Sequence, residues 1–137
     1  MAWLNAVPKP DERTKRAQIA KDAPRLSRAD VYKRDKITPP MPPNPAPHII
    51  SRLVEIGLTE AAGMGSVPLT WLTINQWQIA VNVRLPPWEA RLIRALSVEY
   101  LAEGRRAESE NCPPPWRAPV TQRERDTEMA RLQMVLG

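Results

Sequence analysis

Apolar side chains recur at helical spacing in the middle of this sequence, between two proline-rich stretches. In residues 48–62 they fall on one face, with polar residues opposite: Ile49, Ile50, Leu53, Val54 and Ile56. This periodicity predicts an amphipathic helix. Gly63-Met64-Gly65 is expected to end that helix, because glycine is common at helix C-termini.

A second helix is predicted from Thr70 or Trp71 to about residue 83, with Thr70 as its N-cap. It carries two nearly opposite apolar stripes: Trp71, Ile74, Trp77 and Val81 on one side, and Leu72, Ile79 and Val83 on the other. Such a helix is either sandwiched between neighbours or buries one face against a partner. Both alternatives are open. The residues predicted to bind a partner on this helix are Trp71, Ile74, Trp77 and Val81.

A third helix is expected to open at Pro86-Pro87, because the first turn does not need the N–H that proline lacks. It is predicted to run to about residue 104, with Glu89 near the positive end of the helix dipole. Its predicted buried arc is Trp88, Leu92, Ile93, Ala95, Leu96 and Tyr100, with Arg91 and Arg94 outside it. The residues predicted to form the structural core are Ile49, Leu53, Ile56, Trp88, Leu92, Leu96 and Tyr100.

A final helix is predicted over residues 123–136, because Thr121 and Glu124 match a capping box. Its apolar face is a second candidate for partner binding, formed by Met129, Leu132, Val135 and Leu136. Whether this face docks on the core or stays free for a partner is open at this point. No segment alternates with period two long enough to predict a strand. The predicted fold class is all-α, with a small three-helix core, an extra C-terminal amphipathic helix and proline-rich, largely extended arms.

Proline placement divides the chain into segments. The 137 residues include 16 prolines and no phenylalanine, with six prolines in residues 39–47 and four in residues 113–119. We therefore predict a basic flexible N-terminal arm (1–38), a proline-rich linker (39–47), a helical core (48–110), a second proline-rich linker (111–120) and a C-terminal helix (121–137). Residues 11–21 could form only a marginal helix, because they lack an apolar stripe. Residues 39–47 are either a stiff spacer or a strip that docks on an aromatic groove, and the spacer is favoured.

The excess of basic over acidic residues lies in the N-terminal arm. Residues 1–38 carry ten Lys and Arg against five Asp and Glu, within a net charge of +5 for the chain. Such an arm suits RNA, DNA or an acidic protein surface, and a solvated leader is the alternative. The tryptophans of the core fall on helix stripes, and no helix-turn-helix is convincing. Nucleic-acid binding is therefore disfavoured.

Candidate catalytic groups are few. His48, the single histidine, precedes Ile49 at a predicted helix start, where a solvent-facing position is expected. Cys112 lies in a proline-rich loop with no second histidine to activate it. Gly63-x-Gly65 follows a helix rather than a strand, which argues against a phosphate loop. We predict no enzyme activity, catalytic residue, cofactor or metal site.

The sequence also favours a cytosolic protein. No apolar run approaches the roughly 20 residues that a membrane span needs. The opening segment from Met1 to Pro8 is too short and wrongly flanked for a signal peptide. We therefore expect no membrane partner.

Several motifs resemble a known family. They are Gly63-Met64-Gly65-x-x-Pro68-Leu69-Thr70-Trp71, then Gln76-Trp77, then Pro87-Trp88-Glu89-Ala90-Arg91-Leu92-Ile93-Arg94-Ala95-Leu96-Ser97-x-x-Tyr100-Leu101. This pattern is similar to the tail assembly chaperones of long-tailed bacteriophages, small proteins encoded between the tail tube and tape-measure genes. The resemblance covers about residues 41–116, and the first ten residues more weakly. Its most specific part is the Trp-Glu helix with its later Leu-Ser.

The resemblance implies a protein that coats the tape-measure protein, prevents its aggregation and recruits tail tube subunits around it. It implies residence in the host cytoplasm during assembly and loss from the finished virion. It also implies that the chain corresponds to the downstream part of a frameshifted product, so that Met1 need not be its only natural start. The competing interpretations are a structural head–tail or tail accessory protein of the virion and a nucleic-acid-binding phage protein. Self-association is left open.

Overall fold

Six helices and one β-hairpin make up the parts of the chain that the computed structural model describes, which are residues 1–11, 13 and 24–137. The elements in chain order are α1 (Ala2–Asn5), α2 (Arg28–Arg34), α3 (Pro47–Ile56), β1 (Glu60–Ala62), β2 (Gly65–Val67), α4 (Trp71–Val81), α5 (Pro87–Arg106) and α6 (Gln122–Leu136). The prediction of a mainly helical fold is confirmed. The helix considered for residues 11–21 falls outside the described ranges, apart from Asp11 and Arg13.

The hairpin corrects two predictions. Helix α3 ends at Ile56 rather than near residue 62, because Gly57 adopts φ 108°, a conformation that favours glycine. The chain then forms two antiparallel three-residue strands, in which Glu60 pairs with Val67 and Ala62 with Gly65. Gly63, with φ 50°, lies in the turn between them and does not end a helix. The prediction that no strand is present was therefore wrong.

Glu60 attaches this hairpin to the start of α4. One of its carboxylate oxygens accepts hydrogen bonds from the backbone N–H and the hydroxyl of Thr70, at 2.7 and 3.0 Å. Hydrogen bonds from Thr73 and Thr70 hold the pKa of the Glu60 carboxyl below its ordinary value of 4.5. Thr70 is also the N-cap of α4, as predicted, since its hydroxyl accepts from the backbone N–H of Thr73.

A lowered pKa means that the ionised carboxylate favours the folded state. The contribution of Glu60 to stability is therefore present above pH 4.5 and is lost as the pH falls through the folded-state pKa. We expect Glu60→Gln to lower the melting temperature at neutral pH and to lower it less as the pH falls below 4.5. Thermal unfolding followed by circular dichroism at a series of pH values measures this. Glu55→Gln, at an exposed position of α3, is the control; a difference between wild type and Glu60→Gln that does not depend on pH would contradict the prediction.

The hydrophobic core lies where α3, α4 and α5 meet. Its buried members are Ile49, Leu53, Leu69, Ile74, Leu85 and Ile93. Trp77, Val83 and Leu96 are among the partly buried side chains that pack against it. Leu69 and Leu85 come from the segments that lead into and out of α4, so this short helix is fixed at both ends.

The buried face of α5 differs from the predicted arc. Its fully or nearly buried residues are Glu89, Ile93 and Ser97, spaced four apart along one stripe. Trp88 and Leu92, both predicted in the core, are 56% and 37% exposed. Leu96 and Tyr100 are half-buried. An apolar pattern assigns polar residues to the surface, and here two polar residues are buried because each has partners inside.

Ser97 supplies the clearest of those internal partnerships. Its fully buried hydroxyl accepts a hydrogen bond from the backbone N–H of Leu69 at 2.9 Å and donates to the carbonyl of Leu58 at 2.7 Å. The side chain thus ties α5 to the two chain segments that flank the hairpin. A buried backbone group that loses its partner is costly.

We expect Ser97→Ala to lower the free energy of unfolding by about 2 kcal/mol, because the buried Leu69 N–H and the partly buried Leu58 carbonyl both lose their partner. Chemical denaturation followed by tryptophan fluorescence measures the change. Ser51→Ala, at an exposed position of α3, is the control and should change stability by less than about 0.5 kcal/mol. Equal stability of the two variants would show that the Ser97 hydroxyl is not needed.

The described parts of the N-terminal segment are packed against α5, whereas a free arm was expected. Helix α1 contacts both α5 and α2. The backbone N–H of Lys9 donates to the Glu108 carbonyl at 2.7 Å, and the Lys9 ammonium is paired with the Glu108 carboxylate. Residues at the two ends of the chain segment 1–110 are therefore neighbours.

Arg28 is the buried centre of this contact. Its guanidinium donates to three backbone carbonyls, those of Trp3, Ala107 and Ser109, at 3.1, 2.6 and 2.8 Å. It also lies over the Trp3 ring, 4.5 Å from the centroid. Ala107 is the C-cap of α5, so the cation lies at the negative end of that helix dipole. Among the described residues no carboxylate pairs with Arg28.

Candidate partner-binding surfaces

The outer face of α4 exposes large apolar side chains. Leu72 and Ile79, one heptad apart on the same side of the helix, are 69% and 74% exposed. Asn75 and Gln76 lie on either side of them and are exposed too. Helix α4 has no charged residue along its length. We call Leu72, Asn75, Gln76 and Ile79 the α4 outer face.

This face is not the stripe that was predicted to bind a partner. Ile74 is fully buried in the core, and Trp77 packs against the same core. Trp71 and Val81 lie at the two ends of the helix and remain partly exposed. Ile74 and Trp77 therefore belong to the structural core, and their side of α4 is covered by neighbouring segments. The opposite side, at Leu72 and Ile79, stays uncovered. Val83, from the opposite stripe, also packs on the core, since the helix ends at Val81.

Among the α4 residues that were predicted to bind a partner, Trp71 is the one with an exposed aromatic ring, at 47%. Its ring lies under the guanidinium of Arg94, which is 5.6 Å from the ring centroid. Cation–π contacts of this kind fix the orientation of a ring whose other face is open. Trp71 therefore extends the apolar surface at the N-terminal end of α4.

Helix α6 is the second apolar surface. All its residues are described, and none of them is buried. Met129, Leu132, Val135 and Leu136 are between 54% and 84% exposed. Met129, Leu132 and Leu136 have the spacing of a coiled-coil seam. We call these four residues the α6 face.

The start of α6 is well defined although the helix has no core to pack on. The predicted capping box is present: the Thr121 hydroxyl accepts from the Glu124 N–H, and the Glu124 carboxylate accepts from the Thr121 N–H at 2.7 Å. Hydrogen bonds from the Thr121 backbone and side chain lower the pKa of the Glu124 carboxyl. The α6 face is thus presented on a helix with its own local stabilisation.

The titratable residues near the core form an ion-pair cluster. Glu89 is buried and is paired with the Arg52 guanidinium, and the imidazole Nε2 of His48 lies 3.4 Å from its second oxygen. His48 is itself 55% exposed, in agreement with its predicted solvent-facing position. The cluster joins α3 to α5 and serves packing of those two helices.

Two further features of the described residues bear on chemistry. Across residues 1–11, 13 and 24–137, His, Cys, Asp and Glu form no group of three or more that could hold a metal ion. Within the same ranges, no helix combines the length and the apolar character needed to cross a membrane. Cys112 is half-buried, and its carbonyl accepts a hydrogen bond from the Trp3 indole at 2.9 Å.

No family model, no curated protein and no solved structure matches the chain.

Proposed function

We propose that this protein is a tail assembly chaperone of a long-tailed bacteriophage, which binds the tape-measure protein and recruits tail tube subunits around it. The observation that carries the proposal is the uncovered apolar surface of α6 and of the α4 outer face. An isolated amphipathic helix that buries none of its apolar residues has its natural partner in another helix. A tape-measure protein, as a long helical chain, is a client of that kind.

The motifs of the resemblance support the scaffold of the proposed chaperone. Gly63 and Met64 form the hairpin turn and Gly65 begins β2, Leu69 is fully buried, and Thr70 caps α4. Glu89 and Ser97 are the buried polar residues of α5. These positions hold the three central helices together and leave the α4 outer face uncovered. Most of these motif residues thus lie in the scaffold, whereas Trp71 and Gln76 are motif residues on or beside the α4 outer face.

The α4 outer face suits an apolar helix without a fixed charge pattern. Leu72 and Ile79 supply apolar contact, while Asn75 and Gln76 on either side can donate and accept hydrogen bonds. With no charged residue on α4, nothing on this face selects one register of a long client over another. A chaperone that coats a repetitive helical chain requires such tolerance.

The α6 face suits the same client through a different geometry. Met129, Leu132 and Leu136 form a short seam for another helix, and residues 111–120 connect it to the rest of the chain. Two binding surfaces on one chain raise the effective concentration of the second after the first has bound. We assign tube recruitment to the basic N-terminal segment, which carries the excess positive charge.

Co-expression with the neighbouring tail genes tests the proposal. The affinity-tagged chain is purified from cells that also make the tape-measure and tail tube proteins, and both are expected in the eluate. Recovery of neither would contradict the proposal. The structural alternative is separated by mass spectrometry of purified virions. The proposal expects the chain in the host cytoplasm and absent from virions, whereas a stoichiometric amount in virions would favour a structural component.

A further inference from the structure

A cavity of about 330 Å³ lies between the N-terminal segment and the two proline-rich stretches. Three aromatic side chains line it: Trp3 from α1, Tyr32 from α2 and Trp116 from the second proline-rich stretch. Pro40 and Pro115 are among the prolines that complete its walls. Aromatic rings interleaved with proline rings form a flat apolar surface of the kind that extended proline-rich peptides contact.

Two hydrogen-bond donors in this cavity are unused. The Trp3 indole N–H donates to the Cys112 carbonyl, so it is occupied. The Tyr32 hydroxyl and the Trp116 indole N–H have no partner among the described residues, although both side chains are half-buried. Neither polar atom is sealed from solvent, so water can occupy these donors until a ligand replaces it. The cavity therefore offers donors for a ligand that supplies acceptors.

The cavity continues towards a carboxylate. A second cavity of about 390 Å³ shares Met41 and Pro42 with the first and reaches Glu99 and Glu103 on α5. Glu103 is engaged by Arg106 at 2.7 Å. Glu99 has no ion-pair partner within the described parts of the chain. Arg117 lines the first cavity only, whereas Met1 lines both, and its terminal ammonium group interacts electrostatically with Glu103. Glu99 is therefore the acidic group of the combined groove that is left for a basic residue of a ligand.

We propose that this groove binds an extended proline-rich segment of another protein, with a basic residue held at Glu99. A proline-rich strand offers backbone carbonyls and lacks most N–H groups, so it is the acceptor that Tyr32 and Trp116 can use. An α-helix does not fit this description, because its carbonyls are bonded internally. The partner is therefore of a different kind from the helical client proposed above. The proline-rich stretches of this chain already form the groove walls, so a second copy cannot supply the strand without losing its own groove.

Fluorescence anisotropy with a defined peptide tests this groove. The probe is a fluorescein-labelled proline octamer ending in two arginines, and the control peptide replaces the prolines with alternating glycine and serine. The full-length protein is expected to bind the proline peptide about tenfold or more tighter than the control, with an affinity that falls as salt is raised. Tyr32→Phe, which removes one hydroxyl and keeps the ring, is expected to weaken binding about threefold to tenfold. Glu99→Gln should remove most of the salt dependence.

Trp116→Ala should abolish measurable binding, and circular dichroism of each variant checks that the fold is kept. Equal binding of the two peptides, or unchanged affinity in Tyr32→Phe and Glu99→Gln, would overturn the proposal. Absence of binding at millimolar peptide would overturn it as well. Concentration-dependent self-association that the proline peptide disrupts would assign the groove to a second copy instead of another protein.

Discussion

Replacing Arg28 with methionine is expected to lower the free energy of unfolding by about 3 kcal/mol. Methionine keeps the length of the side chain but removes every hydrogen bond to the Trp3, Ala107 and Ser109 carbonyls. Bonds from a charged donor contribute about 1.5–3 kcal/mol each. Three acceptors lose their donor together, of which the Ala107 carbonyl is in a buried bond and the other two are in partly buried bonds. The cation–π contact with Trp3 is lost as well. The expected loss of about 3 kcal/mol is smaller than the sum of these contributions, because water can hydrogen-bond to the three carbonyls once the contact opens.

Chemical denaturation measures the stability change, and limited proteolysis reports on the N-terminal segment separately. We expect Arg28→Met to expose residues 1–11 to cleavage under conditions in which α3, α4 and α5 stay resistant. Arg34→Met is the matched control, because Arg34 lies in the same helix with an exposed side chain that is paired only with Asp35. Equal stability and equal cleavage of the two variants would mean that Arg28 does not fix the N-terminal segment.

Ile74→Ala is expected to lower the free energy of unfolding by about 2–5 kcal/mol, because the side chain is fully buried and its removal leaves a cavity. Ile79→Ala changes the same residue type in the same helix. It is expected to change stability by less than about 0.5 kcal/mol, because Ile79 is 74% exposed. Denaturation curves of the two variants therefore identify the covered stripe of α4. Similar destabilisation by both would contradict the orientation of this helix.

The features of the fold that could be predicted are those set by local sequence. Thr70 caps α4, Pro87 opens α5, and Thr121 with Glu124 caps α6, each through contacts within a few residues. The hairpin was missed because its strands are only three residues long, too short for a period-two pattern. Gly57 ends α3 through its positive φ, an angle that the sequence does not display. Gly63 and Gly65, two glycines close together, were the more conspicuous candidates for the helix end.

The buried polar residues could not be predicted because their partners are distant in sequence. Ser97 bonds to Leu58 and Leu69, and Arg28 bonds to Trp3 and to Ala107 and Ser109, about 80 residues further along the chain. A polarity pattern assigns such residues to the surface, and in α5 this shifted the predicted arc onto Trp88 and Leu92. Basic composition likewise suggested a free arm, although one arginine of that arm is a buried contact.

The candidate binding surface was only half predictable. Both stripes of α4 are strongly apolar, so periodicity located two faces without deciding which one the rest of the chain covers. That decision depends on Leu69, Leu85 and Ile93, which reach Ile74 from other segments. The four residues of the α6 face are all exposed, as is Met134, which lies off that face. The role of the α6 face in partner binding stays a prediction.

Affinity for the tape-measure protein tests the proposed chaperone role most directly. Binding of a purified tape-measure segment is measured by titration calorimetry with the wild type, with Ile79→Asp combined with Leu132→Asp, and with Met64→Asp. Met64 is a fully exposed apolar residue in the hairpin turn that belongs to neither surface, and it is the control. Melting temperatures of all three proteins are expected to agree within a few degrees, because the three positions are exposed.

We expect the wild type and Met64→Asp to bind with equal affinity and the double variant to bind at least about tenfold more weakly, because a charge buried against an apolar client helix is costly. Equal affinity of the double variant and the wild type, with both proteins folded, would contradict a client-binding role for the α4 outer face and the α6 face.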